Sequence, residues 1–291
     1  MARFQHIGVI VKPPAEQHAA ILDQLASVLE QHGATLLLDE TGAPWGARHG
    51  ISCMDREQLA RQADLVIVVG GDGSFLNAAR TLVDHDLPLL GVNQGRLGFL
   101  VDVSPEDMPV QLGAVLSGHF TEERRSMLSG CILRDGSCIQ TSYALNDVTL
   151  HVRDVVRMIE FETLVNGHFV NIQRADGLVI ATPTGSTAYA LSGGGPILHP
   201  GLEALTLVPI CPHTLSNRPI VVSDDSRIVV RLCRENRNHA QVAFDGQDNF
   251  DLLPEDEIHV ARHEHDLRLV HPPGHDYFHV LRAKLRWGEQ P

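Results

Sequence analysis

Five apolar residues, Leu65-Val66-Ile67-Val68-Val69, run directly into Gly70-Gly71-Asp72-Gly73-Ser74. A run so short and so uniformly apolar reads as a strand buried on both faces, as in a parallel sheet covered by helices. Three glycines in four positions then leave the backbone bare. Its N–H groups can close on an anion with no Cβ in the way. Residues 74–83 read as a helix, with Ser74 as N-cap and Phe75, Leu76, Ala79 and Leu82 as its inner face. Strand, bare loop and helix N-terminus together make a phosphate site. The acid at its centre adds chemistry to binding. Taken alone, the same five residues would also serve as a tight turn, for which glycine and aspartate are ordinary choices.

The chain has two lysines, Lys12 and Lys284, against twenty-one arginines. Neither lysine follows a glycine, so a phosphate loop ending in Gly-Lys-Ser/Thr is excluded. The dinucleotide fingerprint fails as well, because Leu76 stands where its third glycine belongs. A net charge of −13 over 291 residues opposes nucleic acid or an anionic membrane surface as the main partner. No apolar stretch approaches membrane-spanning length. The 7–11 run followed by Pro13-Pro14 reads as a strand and turn rather than a signal peptide. Five cysteines with no C-x-x-C pair fit reduced thiols, and the expected compartment is the cytoplasm.

Strands are expected at 4–11, 35–39, 65–69 and 88–92, and helices at 15–31, 55–62 and 74–83. A further helix is expected to begin at Ser104-Pro105-Glu106-Asp107. That alternation predicts an α/β domain over 1–120 with an open, mostly parallel sheet, whose ligands sit at the carboxyl ends of the strands. Beyond it, short β-rich runs recur at 127–133, 143–152, 156–165, 168–173, 177–181, 205–210, 219–222, 227–233, 240–244 and 257–262. Asn166-Gly167 marks a hairpin turn. We therefore expect a largely β domain over 121–274, with one helix near 186–192 and the active cleft between the domains. Residues 275–291 are expected to complete the first domain.

Four further segments carry candidate chemistry. Residues 91–100 form a second glycine-rich loop after a strand. Asn146-Asp147 sets an amide beside an acid, a pair able to hold two ribose hydroxyls, although Asn-Asp is also a turn dipeptide. Residues 176–196 open from a buried strand into a hydroxyl-rich loop, a short helix and three consecutive glycines, with more hydrogen-bonding capacity than a turn requires. Phe244-Asp245-Gly246-Gln247 reads by itself as a hairpin turn. In the histidine-rich tail, His263, His265, His271, His275 and His279 lack convincing metal-ligand spacing and are expected to pack or face solvent.

Together the 70–74 motif, residues 93–98, Asn146-Asp147, the 176–196 segment, Asn217-Arg218-Pro219 and Asp245-Gly246-Gln247 resemble the NAD kinase family, in that order and over nearly the whole chain. The first motif is shared with lipid and sphingoid kinases; the 176–196 segment is far more specific. Ser74 stands where the family often has Thr, and Asp147 where it often has Glu.

The resemblance implies transfer of the ATP γ-phosphoryl group to the 2′-hydroxyl of the adenosine ribose of NAD, giving NADP and ADP with Mg²⁺. It implies Asp72 as the base, with Gly70, Gly71, Gly73 and Ser74 lining phosphates. Asn146 and Asp147 would hold adenosine or ribose, and Asp176 the nicotinamide end. Thr187, Ala188, Tyr189, Ala190, Leu191 and Ser192 would line the adenine region, with Arg157, Arg174 and Gln247 as further contacts. A homodimer or homotetramer is implied as well. The rivals are a lipid kinase built on the same loop, which the 176–196 segment opposes, and a non-catalytic dinucleotide sensor, which the intact Asp72 opposes.

Overall fold

The computed structural model describes residues 4–153, 158–236 and 239–287, and the chain divides into two compact units. One takes residues 1–124 and 267–291, the other 125–266.

The first unit is built on a seven-stranded sheet. Its order is Cys53–Met54, Thr35–Asp39, His6–Val11, Leu65–Val69, Pro88–Val92, Leu267–His271 and Thr121–Arg125. From Cys53–Met54 to Leu267–His271 the neighbouring pairs are parallel. Leu65–Val69 and Pro88–Val92 are buried at every position, because helices cover both faces. Helix Ala19–Gln31 turns Leu22, Leu25, Val28 and Leu29 into the core and ends at Gly33, whose φ of +67° lets the chain leave the helix. Helix Arg56–Gln62 is capped by Asp55, whose carboxylate accepts from Gln58 N–H at 2.8 Å. The first strand is followed outward on one side by the second and third, and on the other by Leu65–Val69. The order therefore reverses between His6–Val11 and Leu65–Val69, the place where open α/β sheets bind ligands. Lys12 and Gly70 follow these two strands directly.

The second unit is a sandwich of two six-stranded antiparallel sheets. One runs His168–Ala175, Ile159–Val165, Ile228–Leu232, Glu257–Arg262, Leu128–Arg134, Ser137–Ala144. The other runs Ile220–Ser223, Ala204–Ile210, Gly177–Ala181, Asp147–Val152, Ala240–Phe244, Asp248–Leu252. A single core draws Ile132, Phe161, Val230 and Ile258 from the first and Leu150, Leu178, Val242 and Phe244 from the second. The Asn166-Gly167 turn is present, with φ of +53° and +77° joining the paired Val165 and His168.

Several expectations need correction. The run 143–152 is not one strand: Ser137–Ala144 lies in the first sheet and Asp147–Val152 in the second, the chain changing sheets at Leu145-Asn146. Strand Ser137–Ala144 is largely polar and was not apparent from periodicity, although Asp135-Gly136 before it adopts φ of +50° and +75°, the geometry of a two-residue hairpin turn. The Ser104 hydroxyl accepts from Asp107 N–H at 3.0 Å and closes a turn ahead of the helix, which starts only at Met108. The chain re-enters the first unit at Leu267 rather than 275, because the short apolar strand Leu267–His271 pairs in parallel with Pro88–Val92. Cys131 and Cys138 are joined across a hairpin as a disulfide, so the expectation of reduced thiols fails for this pair.

Gly130 lies under the Phe244 ring, where an added Cβ would overlap the aromatic carbons. The two sheets approach closely there because one residue has no side chain. Gly130→Val is expected to destabilise the protein by about 1–3 kcal/mol, the usual cost of overpacking a core. A lowered denaturant midpoint at unchanged slope would show it.

Candidate active site

In the first unit, the glycine-rich loop lies where the sequence placed it, but the helix after it starts earlier. Gly71, not Ser74, is the N-cap, and Asp72 opens helix Asp72–Leu82. Ser74 and Phe75 direct their N–H groups back to the Gly71 carbonyl at 3.0 and 3.1 Å. Gly70 is required because a Cβ there would overlap the Ser74 side chain. Gly71 and Gly73 leave the loop surface bare, and the helix N-terminus puts partial positive charge beneath it. An acid in the first turn is favourable in the same field. The half-buried Asp72 carboxylate accepts from Phe99 N–H at 3.1 Å and Leu100 N–H at 2.9 Å. That grip needs Gly98, whose Cβ would collide with the Asp72 carboxylate. The loop bearing Gly98 is shaped in turn by buried Asn93, whose side-chain oxygen accepts from Gly95 N–H at 2.7 Å. Residues 93–100 thus frame the acid.

In the second unit, a cavity of about 830 Å³ opens beside the strand Gly177–Ala181. Asn146, Asp147, Asp176, Ala188 and Tyr189, all expected site residues, line it. Asp245 organises this wall. Its carboxylate accepts from the N–H groups of Leu145 (3.0 Å), Asn146 (2.8 Å) and Asp147 (3.2 Å), fixing the segment where the chain changes sheets. Gly185 lies directly on the Asn146 backbone, where any Cβ would overlap it. The Thr182 hydroxyl donates to the Leu145 carbonyl at 2.6 Å, clamping the 182–187 loop to the same segment.

The hydroxyls of that loop have a different use from the one expected. Ser186, fully buried, donates to the Pro183 carbonyl at 2.6 Å and accepts from Leu198 N–H at 2.9 Å, while Thr187 donates to the Thr184 carbonyl at 3.2 Å. They satisfy the backbone of an irregular loop. The helix expected near 186–192 is a 3-10 turn Gly185–Thr187 followed by one helical turn, Tyr189–Ser192, with the break at Ala188. This break turns Tyr189 outward, 45% exposed, at the cavity mouth, and buries Ala190. Thr187, Ala190, Leu191 and Ser192 support this turn without lining the cavity. Arg174 is exposed on the outer strand His168–Ala175, and Gln247 is exposed in the turn after Phe244. Neither lines the cavity, and Arg157 lies outside the described residues.

Other lining residues were missed: Thr149, His151, Arg153, Cys211, Asp245 and Asn249. Thr149, His151 and Arg153 follow Asp147 at period two, a signal that was available once Asp147 was placed on a strand. Asp245 had the look of a turn residue, and it is one, with φ of +51°. Its second role depends on a neighbour one hundred residues away in sequence.

Two family models cover most of the chain: the ATP-NAD kinase N-terminal domain over residues 7–120 and the ATP-NAD kinase C-terminal domain over 145–272. The chain belongs to the NAD kinase family. The NAD kinase of Nitrosococcus oceani is 47% identical over 287 residues, covering 99% of this chain and 98% of the relative. That of Pseudomonas putida is 45% identical, covering 100% and 98%. Among solved structures, an NAD kinase from Archaeoglobus fulgidus in complex with ATP aligns with a TM-score of 0.77 at 29% identity, over 97% of this chain and 99% of that one. Yeast NADH kinase complexed with NADH aligns with a TM-score of 0.90 over 100% and 92%; at 22% identity this is a likeness of fold. As an NAD kinase, the protein transfers the ATP γ-phosphoryl group to NAD, giving NADP and ADP.

One electrostatic feature of this NAD kinase bears directly on its cavity. Burial, reinforced by the nearby Asp245 charge, pushes the Asp147 carboxyl up to about 6, although the Thr149 hydroxyl donating at 2.8 Å offsets part of this. A carboxyl raised in the fold disfavours its own ionisation, so the folded state loses stability as pH rises from the ordinary carboxylate range through about 6. The ionised form offers both oxygens as charged acceptors and so holds a pair of hydroxyl donors more strongly than the neutral acid, which turns one of its oxygens into a donor. The KM for NAD is therefore expected to stay level above neutrality and to rise as pH falls through about 6. In Asp147→Asn that step should vanish, and the apo protein should melt higher than wild type at pH 8.

Proposed function

We propose that Asp72 is the general base for the 2′-hydroxyl of the adenosine ribose, and that the cavity of the second unit holds the dinucleotide. What carries this reading is Asp72 itself: a carboxylate at a helix N-terminus, beside a bare phosphate-binding loop, with its direction fixed by two backbone N–H groups. Gly70, Gly71, Gly73 and Ser74 line the ATP phosphates through backbone N–H groups and one hydroxyl. Asn146 and Asp147 grip ribose hydroxyls, Asp176 meets the nicotinamide end, and the turn from Thr187 to Ser192 borders adenine, with Tyr189 offering a ring face. Arg157, Arg174 and Gln247 are proposed as outer contacts of the substrate.

As the ribose oxygen bonds to the γ-phosphorus, the bond from that phosphorus to the bridging oxygen breaks and ADP leaves. The hydroxyl proton passes to Asp72. A carboxylate is far too weak a base to remove a ribose hydroxyl proton beforehand. A loose phosphoryl-transfer transition state does not ask it to, because the base orients the hydroxyl and takes the proton late.

Mg²⁺ fits the donors present. It is ordinarily held by one or two carboxylates together with phosphate oxygens and retained waters, and Asp72 offers hard oxygens beside the loop. Mg²⁺ would come with the ATP phosphates and neutralise charge on the transferring group. Asp72 holding the ion, directly or through water, is the alternative to Asp72 as base, and raised Mg²⁺ or Mn²⁺ would then partly restore Asp72→Asn. We also propose a homodimer or homotetramer in the cytoplasm. Its support is an apolar strip, Phe169, Val170 and Ile172, exposed on the outer strand His168–Ala175. No helix among the described residues is long and apolar enough to cross a membrane.

Asp72→Asn keeps the shape and removes the acceptor charge. It should lower kcat by about 10²–10⁴-fold with the KM for NAD nearly unchanged, whereas Asn146→Ala should raise that KM several-fold and leave that for ATP in place. Turnover by folded Asp72→Asn within a few-fold of wild type would sink the assignment.

A further inference from the structure

We infer that Lys284, on the C-terminal helix, is a positioning residue for Asp72. The two N–H groups that grip the Asp72 carboxylate belong to Phe99 and Leu100, in an irregular loop with no helix or strand to hold it. The C-terminal segment braces that loop at both ends. After strand Leu267–His271, the Nδ1 atoms of His271 and His275 stand 3.0 and 2.6 Å from one carboxylate oxygen of Asp102. Burial alone would lower the His271 imidazolium, but hydrogen bonding and charge from Asp102 and Glu123 outweigh it and raise it. The same two histidines hold the Asp102 carboxyl well below the ordinary range, against its burial. Their rings stack 3.6 Å apart and 17° from parallel, with both Nδ1 atoms directed at that one oxygen. The cluster is a charge-assisted tie between the tail and the end of the loop.

Helix Tyr277–Leu285 then begins, capped by Asp276, whose carboxylate accepts from Phe278 N–H at 2.9 Å. From its penultimate position, Lys284 Nζ donates to the Leu97 carbonyl at 3.0 Å and stands 5.6 Å from the centre of the Phe99 ring. A single ammonium thus holds the residue before Gly98 and the ring of the residue after it. Gly98 is the position where the loop backbone touches Asp72. The ammonium acts on the loop and the loop acts on the carboxylate: Lys284 sets where Asp72 points without touching substrate. Arg282, on the same helix, is exposed and pairs with Asp276 at 3.6 Å, away from the loop.

The test is steady-state kinetics of Lys284→Met, which keeps an apolar stem over Phe99 and removes the ammonium. A misplacement of about 1 Å can cost about 10²-fold in rate; a loop that loses one of its ties should cost less. We expect kcat to fall about 5–20-fold with both KM values within about twofold, Lys284→Arg to recover most of the rate, and Arg282→Met to behave as wild type. Hydrogen exchange at Phe99 and Leu100 should quicken in Lys284→Met while the strand Leu65–Val69 stays protected. An unchanged kcat, a rise in KM in place of a fall in kcat, or an equal loss in Arg282→Met would overturn the inference. It rests on Asp72 as the base. A fully active Asp72→Asn would remove that footing, whereas an inactive Asp72→Asn beside a fully active Lys284→Met would refute the role of Lys284 alone.

Discussion

In each unit the functional loop depends on one short carboxylate that gathers backbone N–H groups from a distant segment. Asp72 takes those of Phe99 and Leu100, and Asp245 takes those of Leu145, Asn146 and Asp147. Such bonds to an ionised acceptor are roughly twice as strong as neutral ones. They also answer a problem of irregular structure, since N–H groups outside any ladder need partners when water is excluded. An aspartate does this with little freedom to lose, because its side chain has only two rotatable bonds. The consequence differs between the units. Asp245 spends its oxygens on structure and leaves Asn146 and Asp147 to face the cavity, whereas Asp72 is at once the organiser of the loop and the candidate base.

The glycines follow from these contacts. Gly98 touches the Asp72 carboxylate, Gly185 the Asn146 backbone and Gly70 the Ser74 side chain. None of the three has a left-handed φ. Close approach explains them better than backbone freedom does. A glycine-rich sequence near a phosphate site is usually credited to ligand access, and Gly71 and Gly73 fit that account. For the others the protein itself fills the space.

A shared principle also explains the hydroxyls of the 182–187 loop. A strand that ends inside a fold must give its last carbonyls and amides new partners, and Thr182, Ser186 and Thr187 provide them locally. Their number measures how irregular the backbone becomes before Tyr189, and the exposed ring is what that irregularity delivers. Asp147 shows the converse. Burial, with the Asp245 charge nearby, holds its carboxyl near the point of protonation, a tension that hydrogen-bond donors entering the cavity would relieve.

The sequence by itself determined the alternating architecture of the first unit, since strand-length apolar runs such as 65–69 and 88–92 alternate there with segments of helical period that can cover a sheet. It determined the Asn166-Gly167 hairpin, because that dipeptide tolerates two successive positive φ values. It determined the glycine-rich loop and the acid within it, because bare backbone beside a helix N-terminus is a local property. The tertiary structure alone decided which atoms hold Asp72, for Phe99 and Leu100 reach it through backbone groups that every residue type carries. It decided that 143–152 is split between two sheets, since a strand's alternation is the same whichever sheet receives it. It placed Lys284 beside the loop as well. A lone lysine near the end of a chain has no local pattern to read, and its partner is a carbonyl 187 positions earlier. Local chemistry is legible in sequence; contacts made by backbone across long separations are not, because they leave no residue-type signature.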